Sequence, residues 1–237
     1  MKKIIPFLFF GILAIEIYAE VKVEEFGAGF IYLTKTLLMP LLMLYYYLST
    51  KNNFQKFDKI VLGALFFSWW GDNFLMPQME NINLPIHFLA GLGSFLVAHL
   101  LYIPAFMTND QKQPGLLKKS PIFALPFVLL VGGLLYFLFQ QNHPDFVPMK
   151  IPVVVYATVI LFMVLSAMDR KGREERNSFQ LIAIGAIMFM ISDSFIALSR
   201  FSYLFEGQVN FVRIAIMSLY AGGQFLITQG AIYKYKR

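Results

Sequence analysis

Two aspartates are the residues of this 237-residue chain that most need a reason. Asp72 lies in Ser68-Trp69-Trp70-Gly71-Asp72-Asn73-Phe74-Leu75, near the end of an apolar run from Ile60 to Met76. Asp193 lies in Ser192-Asp193-Ser194-Phe195-Ile196, again near the end of an apolar run. Both segments read small residue, Asp, small polar residue, Phe, aliphatic residue. A carboxylate inside a membrane span costs roughly 2.5–3.5 kcal/mol on insertion scales, so such residues are retained for a partner or a function. Two carboxyls in matched settings suit acid–base work. One keeps a proton and acts as general acid; the other stays ionised beside a cation. The plain alternative is a structural pair that hydrogen-bonds neighbouring helices.

Lys35, in Thr34-Lys35-Thr36-Leu37-Leu38-Met39-Pro40, is the candidate cation. It is expected either to snorkel to the outer interface or to neutralise an aspartate or a lipid phosphate. Pro40 is expected to kink its helix. His99 and Tyr102, three residues apart, share a helix face. Tyr156, Tyr220 and Gln224 are further buried donors, the last two one helical turn apart. Gly222 and Gly223 between them allow helices to approach closely. These residues, with Lys35, are the expected lining of a substrate site. Glu16, on the first apolar run, is expected nearer the surface and outside the site.

The elements that must carry these side chains are membrane helices. Hydrophobic residues make up 58% of the chain and charged residues 14%; a soluble domain has about 25% charged and 45–50% apolar residues. A span needs about 20 mainly apolar residues. Eight runs qualify: 4–20, 28–48, 59–78, 85–107, 120–140, 147–168, 178–200 and 208–233. The first is read as a retained helix rather than a cleaved signal, because Glu16 lies at the would-be cleavage site and an uncleaved helix completes the charge pattern.

That pattern is one-sided. Basic residues cluster at the N-terminus (Lys2, Lys3), in the 2–3 connection (Lys51, Lys56, Lys59) and in the 4–5 connection (Lys112, Lys118, Lys119). They cluster again in the 6–7 connection (Arg170, Lys171, Arg173, Arg176) and at the C-terminus (Lys234, Lys236, Arg237). The opposite side has Lys22, Lys150, Arg200 and Arg213. The bias places both termini and Lys112 in the cytoplasm, and Glu80 outside. It also accounts for the net charge of +6 without nucleic acid. At about 1.5 Å per residue, Asp72, Asp193 and Lys35 then lie about 10 Å from the outer ends of their helices, in one layer. Gly63-Ala64 precedes Asp72 much as Gly185-Ala186 precedes Asp193, which gives the expectation of a 4+4 parallel repeat.

With no cysteine, thiol chemistry and disulfides are excluded. The three histidines, His87, His99 and His143, form no HxxxH or HExxH pair, and no metal or cofactor is expected.

Taken in order, TKTLLMPLL, FFSWWGDNFL, HLLY, GAIMFMISDSFIAL and SLYAGGQFLI resemble the YhhN-like family of membrane lysoplasmalogenases and their relatives. The resemblance covers nearly the whole chain. It implies hydrolysis of the vinyl-ether bond of a lysoplasmalogen, or of a related lipid, to a fatty aldehyde and a glycerophospho-base. Protonating the β-carbon of a vinyl ether gives an oxocarbenium ion, the kind of cation that glycosidases handle with two carboxyl groups. The expectation is therefore an all-α bundle of eight spans in a single integral membrane domain. Its site lies in the outer half among helices 2, 3, 4, 7 and 8, with Asp72 and Asp193 as the catalytic pair. A lipid or small-molecule translocator would use the same intramembrane charges, and flux without product would mark it. A structural or partner-binding protein would tolerate neutral replacement of all three charges.

Overall fold

A computed structural model describes residues 2–76, 85–107 and 114–234. Glu80 and Lys112, which mark the two sides in the expected topology, lie outside the described residues, as do positions 77–78 of the third expected span. The described residues are helical and contain no strand. The chain divides into two compact units, Met1–Ala105 and Phe106–Lys234. Among the described residues, six helical segments are long and apolar enough to cross a membrane: Val23–Asn53, Ile86–Met107, Pro121–Gln140, Val147–Met168, Arg176–Phe201 and Val209–Tyr233. This is an integral, multi-pass membrane protein.

The first unit begins with α1 (Ile5–Val21), started by Pro6 in its first turn, where a missing N–H costs nothing. Its buried residues, Ile5, Phe9, Leu13, Glu16, Ala19 and Glu20, recur every three to four positions and form one stripe. Two of the six are acidic. The stripe packs on α2 (Val23–Thr50). Lys22 pairs with Glu25 at 2.8 Å in the turn. The helical path of α2 is broken at Gly27, whose φ is 74°, so its long continuous part begins at 28 as expected, after a short turn from Val23. Such a backbone suits a residue with no Cβ.

The third helix, α3 (Lys56–Leu75), opens with a capping box. Gln55 N donates to Asp58 Oδ2 at 2.7 Å, and the Gln55 side chain accepts from the Asp58 backbone. The Tyr46 hydroxyl donates to the other Asp58 oxygen at 2.6 Å, tying the start of α3 to α2. At the other end the two helices are cross-linked by polar groups. Trp69 Nε1 donates to the Thr36 carbonyl at 3.0 Å, and the Tyr32 hydroxyl donates to the Met76 carbonyl at 2.7 Å. The fourth helix, α4 (Pro85–Met107), lies close against α3. A Cβ on Gly71 would sit 2.6 Å from the Phe95 ring, and one on Gly91 would sit 2.6 Å from the Leu75 side chain. Ser94 Oγ adds a 2.6 Å bond to the Phe67 carbonyl.

The second unit contains a short helix, α5 (Leu116–Lys119), then α6 (Leu125–Gln140), α7 (Lys150–Met168), α8 (Arg176–Phe201) and α9 (Val209–Tyr233). The span expected at 120–140 enters through a 3-10 turn at Pro121–Ala124 and becomes α-helical only at Leu125. Pro121 and Pro126 each stand at the start of their segment, where proline is tolerated. Arg170 was counted among the cytoplasmic charges, yet it is buried. Its guanidinium donates to the Phe106 carbonyl at 3.2 Å and to Ser178 Oγ at 3.4 Å. Burial pulls its pKa below the usual value, with Glu174 opposing.

The tightest pairing in this unit is α8 with α9. A Cβ on Gly185 would lie 2.6 Å from the Gly223 carbonyl oxygen, and one on Gly223 would lie 2.8 Å from the Gly185 carbonyl oxygen. Ser178 Oγ donates to the Gly230 carbonyl at 2.8 Å. In lipid, helices associate through such close approach rather than through a hydrophobic driving force. Gly185→Ala should therefore force α8 from α9 and destabilise the protein by about 1–3 kcal/mol. Thermal unfolding in detergent should show this, and Gly133→Ala, where nothing lies within 4 Å, is the control. Equal melting of the two variants would remove backbone contact as the reason for these glycines.

Candidate functional site

The buried stripe of α1 carries Glu16 and Glu20 onto α2 at the level of Lys35. Lys35 Nζ donates to Glu20 Oε1 at 3.1 Å, with the two side chains 15% and 3% exposed. Glu16 is fully buried and Asp72 is 4% exposed. Both lie within electrostatic reach of Lys35 and of each other. Three helices thus bring three carboxyl groups around one ammonium. Neither oxygen of Glu16 has a hydrogen-bond partner. Glu16, expected in the outer part of its helix, is enclosed because the face it shares with Phe9, Leu13 and Glu20 is the face that packs inward.

Asp72 lies on the buried face of α3 with Val61, Leu65 and Ser68. Its neighbour Asn73 holds the register. Asn73 Oδ1 accepts from Thr36 Oγ1 at 3.3 Å, and Asn73 Nδ2 donates to the Trp69 carbonyl at 2.7 Å. The other face of α3 is aromatic. Phe66, Phe67, Trp70 and Phe74, with Ala90, Gly93, Ser94 and Val97 of α4, line an apolar groove of about 400 Å³. On α4, His99 and Tyr102 are both fully buried and share an inward face with Phe95 and Ala98.

In the second unit, Asp193 is half-buried on α8 and accepts a 2.5 Å hydrogen bond from the Tyr156 hydroxyl of α7. The adjacent Ser192 donates to the Ile216 carbonyl of α9 at 3.0 Å, which fixes the helix beside the aspartate. Tyr220 and Gln224 are buried on α9. Tyr220 packs edge-on against Phe189 of α8, ring centroids 5.3 Å apart. Of the residues singled out in the sequence, Lys35 and Asp72 therefore share one charged cluster, and Tyr156 and Asp193 share one hydrogen bond. Glu20 was missed, and Glu16 was set aside. The signal that would have found both is their four-residue spacing on the stripe that includes Phe9 and Leu13. Among the described residues, no three His, Asp or Glu side chains are grouped so as to hold a metal ion.

The model of the YhhN family matches residues 30–231. The chain is similar to human lysoplasmalogenase TMEM86B, 29% identical over 194 residues that cover 82% of this chain and 73% of that protein. It is similar to bovine lysoplasmalogenase TMEM86A, 31% identical over 71% of this chain and 63% of that one. It is also similar to the lysoplasmalogenase of Mycobacterium tuberculosis, 31% identical over 62% of this chain and 51% of that protein. The chain thus spans between half and three-quarters of the length of these relatives. No solved structure matches it.

Proposed function

Because this chain belongs to the YhhN family, we propose that it is a lysoplasmalogenase-type hydrolase, cleaving the vinyl-ether bond of a lysoplasmalogen or a related lysophospholipid within the membrane. The family match over residues 30–231, with relatives named lysoplasmalogenase, carries this reading. The products are a fatty aldehyde and a glycerophospho-base.

Asp72 and Asp193 are the catalytic carboxyls of this reading. Asp72, grouped with other carboxyls, is the proton donor to the β-carbon. Asp193, already an acceptor for Tyr156, is the carboxylate that stabilises the oxocarbenium ion. Lys35, His99 and Tyr102 in the first unit and Tyr220 and Gln224 in the second are the substrate-binding residues of this reading, and Tyr156 orients Asp193. This reading invokes no cofactor, because protonation of the β-carbon, addition of water and collapse of the hemiacetal need only acid–base catalysis and no change of net oxidation state. The topology that goes with this function has eight spans and both termini inside. Fifteen basic residues on the expected inner side against four on the outer side support it. The division near Ala105, with four long helices in each part, supports a 4+4 arrangement.

The test is mass spectrometry of alkenyl lysophospholipid incubated with purified protein in lipid. Release of the fatty aldehyde is expected. Transfer of intact lipid across proteoliposomes with no aldehyde would replace the hydrolase with a translocator.

A further inference from the structure

The connections at one end of α6 and α7 carry Lys118 and Lys119 at the end of α5 and Lys171 after α7, all three exposed. Lys118 and Lys119 precede the membrane segment that starts at Pro121, and Lys171 follows the one that ends at Met168. Each lysine is within three residues of a span end, which places its ammonium in the headgroup layer, about 5–8 Å thick on each side of the hydrocarbon core. The three are held on one fixed surface. Asp169 Oδ1 accepts from the Leu117 backbone N–H at 2.8 Å, and the other oxygen pairs with Arg173 at 3.0 Å. A Cβ on Gly115 would overlap the same carboxylate, so the backbone that enters α5 lies directly on it. Lys171 Nζ sits 5.5 Å from the centre of the Phe123 ring. Phe123 and its neighbour Ile122 are exposed, an apolar edge of the kind that dips below lipid head groups.

The acidic residues described in these connections are all engaged within the protein. Asp169 holds α5 and Arg173, Glu174 lies 3.8 Å from the buried Arg170, and Glu175 accepts from the Ser178 backbone N–H at 2.9 Å. Among the described residues no carboxylate pairs with Lys118, Lys119 or Lys171. A flexible loop with the same charges would satisfy the inward bias of basic residues equally well. An ordered cationic surface against an exposed apolar edge fits an anion that has an apolar part. We propose that Lys118, Lys119 and Lys171 form a docking surface for the head groups of anionic phospholipids, with Asp169 as the residue that holds the two connections together. The head-group phosphate meets the ammoniums, and the acyl chains lie along Ile122 and Phe123. This needs only that the chain spans a membrane, and it holds whatever the reaction is.

The experiment measures lipid bound to the purified protein by native mass spectrometry, with phosphatidylglycerol and phosphatidylcholine as probes. Wild-type protein should retain phosphatidylglycerol in preference to phosphatidylcholine, and the preference should fade as ionic strength rises. Lys118→Gln, Lys119→Gln and Lys171→Gln should each weaken phosphatidylglycerol binding about 5-fold, and together roughly 100-fold. Lys150→Gln removes another lysine set over a phenylalanine ring, at the other end of α7, and should leave binding unchanged. Equal binding of the two lipids by wild-type protein, equal binding by wild type and the triple variant, or an equal loss in Lys150→Gln would overturn the proposal. If the triple variant does not accumulate, acetylation of the wild-type lysines decides. Phosphatidylglycerol should then protect Lys118, Lys119 and Lys171 but not Lys150, and equal labelling with and without the lipid overturns the proposal. Inorganic phosphate that protects the three lysines as well as the lipid does would assign the surface to a free anion instead. Protection by poly-glutamate alone would assign it to an acidic protein partner.

Discussion

Asp72→Asn should lower turnover of an alkenyl lysophospholipid by about 10²- to 10⁴-fold, the usual loss when a positioned acid is removed. The protein should still insert and fold. Other groups also hold the scaffold: α3 is tied to α2 through Trp69, Thr36, Asn73 and Tyr32, and to α4 through Gly71, Gly91 and Ser94. Asn has the size and polarity of Asp but no proton of carboxyl acidity, so the deficit should appear in kcat rather than KM. Binding of a saturated alkyl ether, which has no double bond to protonate, should be equal in the two proteins. In deuterated water the wild-type aldehyde should gain one deuterium next to the carbonyl, read at times short enough to precede exchange of the free aldehyde. Aldehyde made with no solvent hydrogen at that carbon, or full activity in Asp72→Asn, would exclude protonation by this residue.

The membrane helices are legible in the sequence because their signal is summed over about 20 residues. Runs such as 28–48 and 208–233 need no knowledge of partners to be recognised, and each lies, to within a residue, inside a helix long and apolar enough to cross a membrane. The ends are less legible because local groups set them. Gly27 interrupts α2, Pro121 and Pro126 divide the entry to α6, and the Gln55–Asp58 box starts α3 three residues before the apolar run. The Gly222-Gly223 pair pointed correctly to a close helix approach. It is Gly223 that meets backbone, whereas Gly222 faces the Met188 side chain.

The site divides in the same way. Asp72, Asp193 and Lys35 stand out because each is a charge in an apolar run, and the cost of that is visible one residue at a time. The partner of Lys35 is not visible in this way. Glu20 lies at the end of the first run, where an acidic residue reads as interfacial, and only the packing of α1 on α2 places it 3.1 Å from the lysine. Arg170 shows the converse case, a charge in the expected connection whose burial the sequence does not reveal. It stays in the 6–7 connection that the charge pattern assigns to the inner side, and its hydrogen bond to the Phe106 carbonyl gives it a structural role as well.

The second large effect is expected at Asp193. Asp193→Asn should lower kcat by about 10²- to 10³-fold, the loss typical when one preorganised electrostatic group is removed from a developing charge. Tyr156→Phe should act in the same direction but more weakly, about 10-fold, as fits loss of a hydrogen bond to a charged group worth ~1.5 kcal/mol. The reason is geometric. The Tyr156 hydroxyl donates to Asp193 Oδ2 from α7, while Ser192 fastens the same turn of α8 to the Ile216 carbonyl on α9. Tyr156 therefore orients the carboxylate and has no effect of its own once the carboxylate is gone. The double variant Tyr156→Phe with Asp193→Asn should be no slower than Asp193→Asn alone, a non-additivity that a thermodynamic cycle on kcat measures. Losses that simply multiply would mean that Tyr156 contributes independently of Asp193, for example by contacting the lipid. A Tyr156→Phe protein with wild-type kcat would mean that the 2.5 Å hydrogen bond serves helix packing and not the reaction.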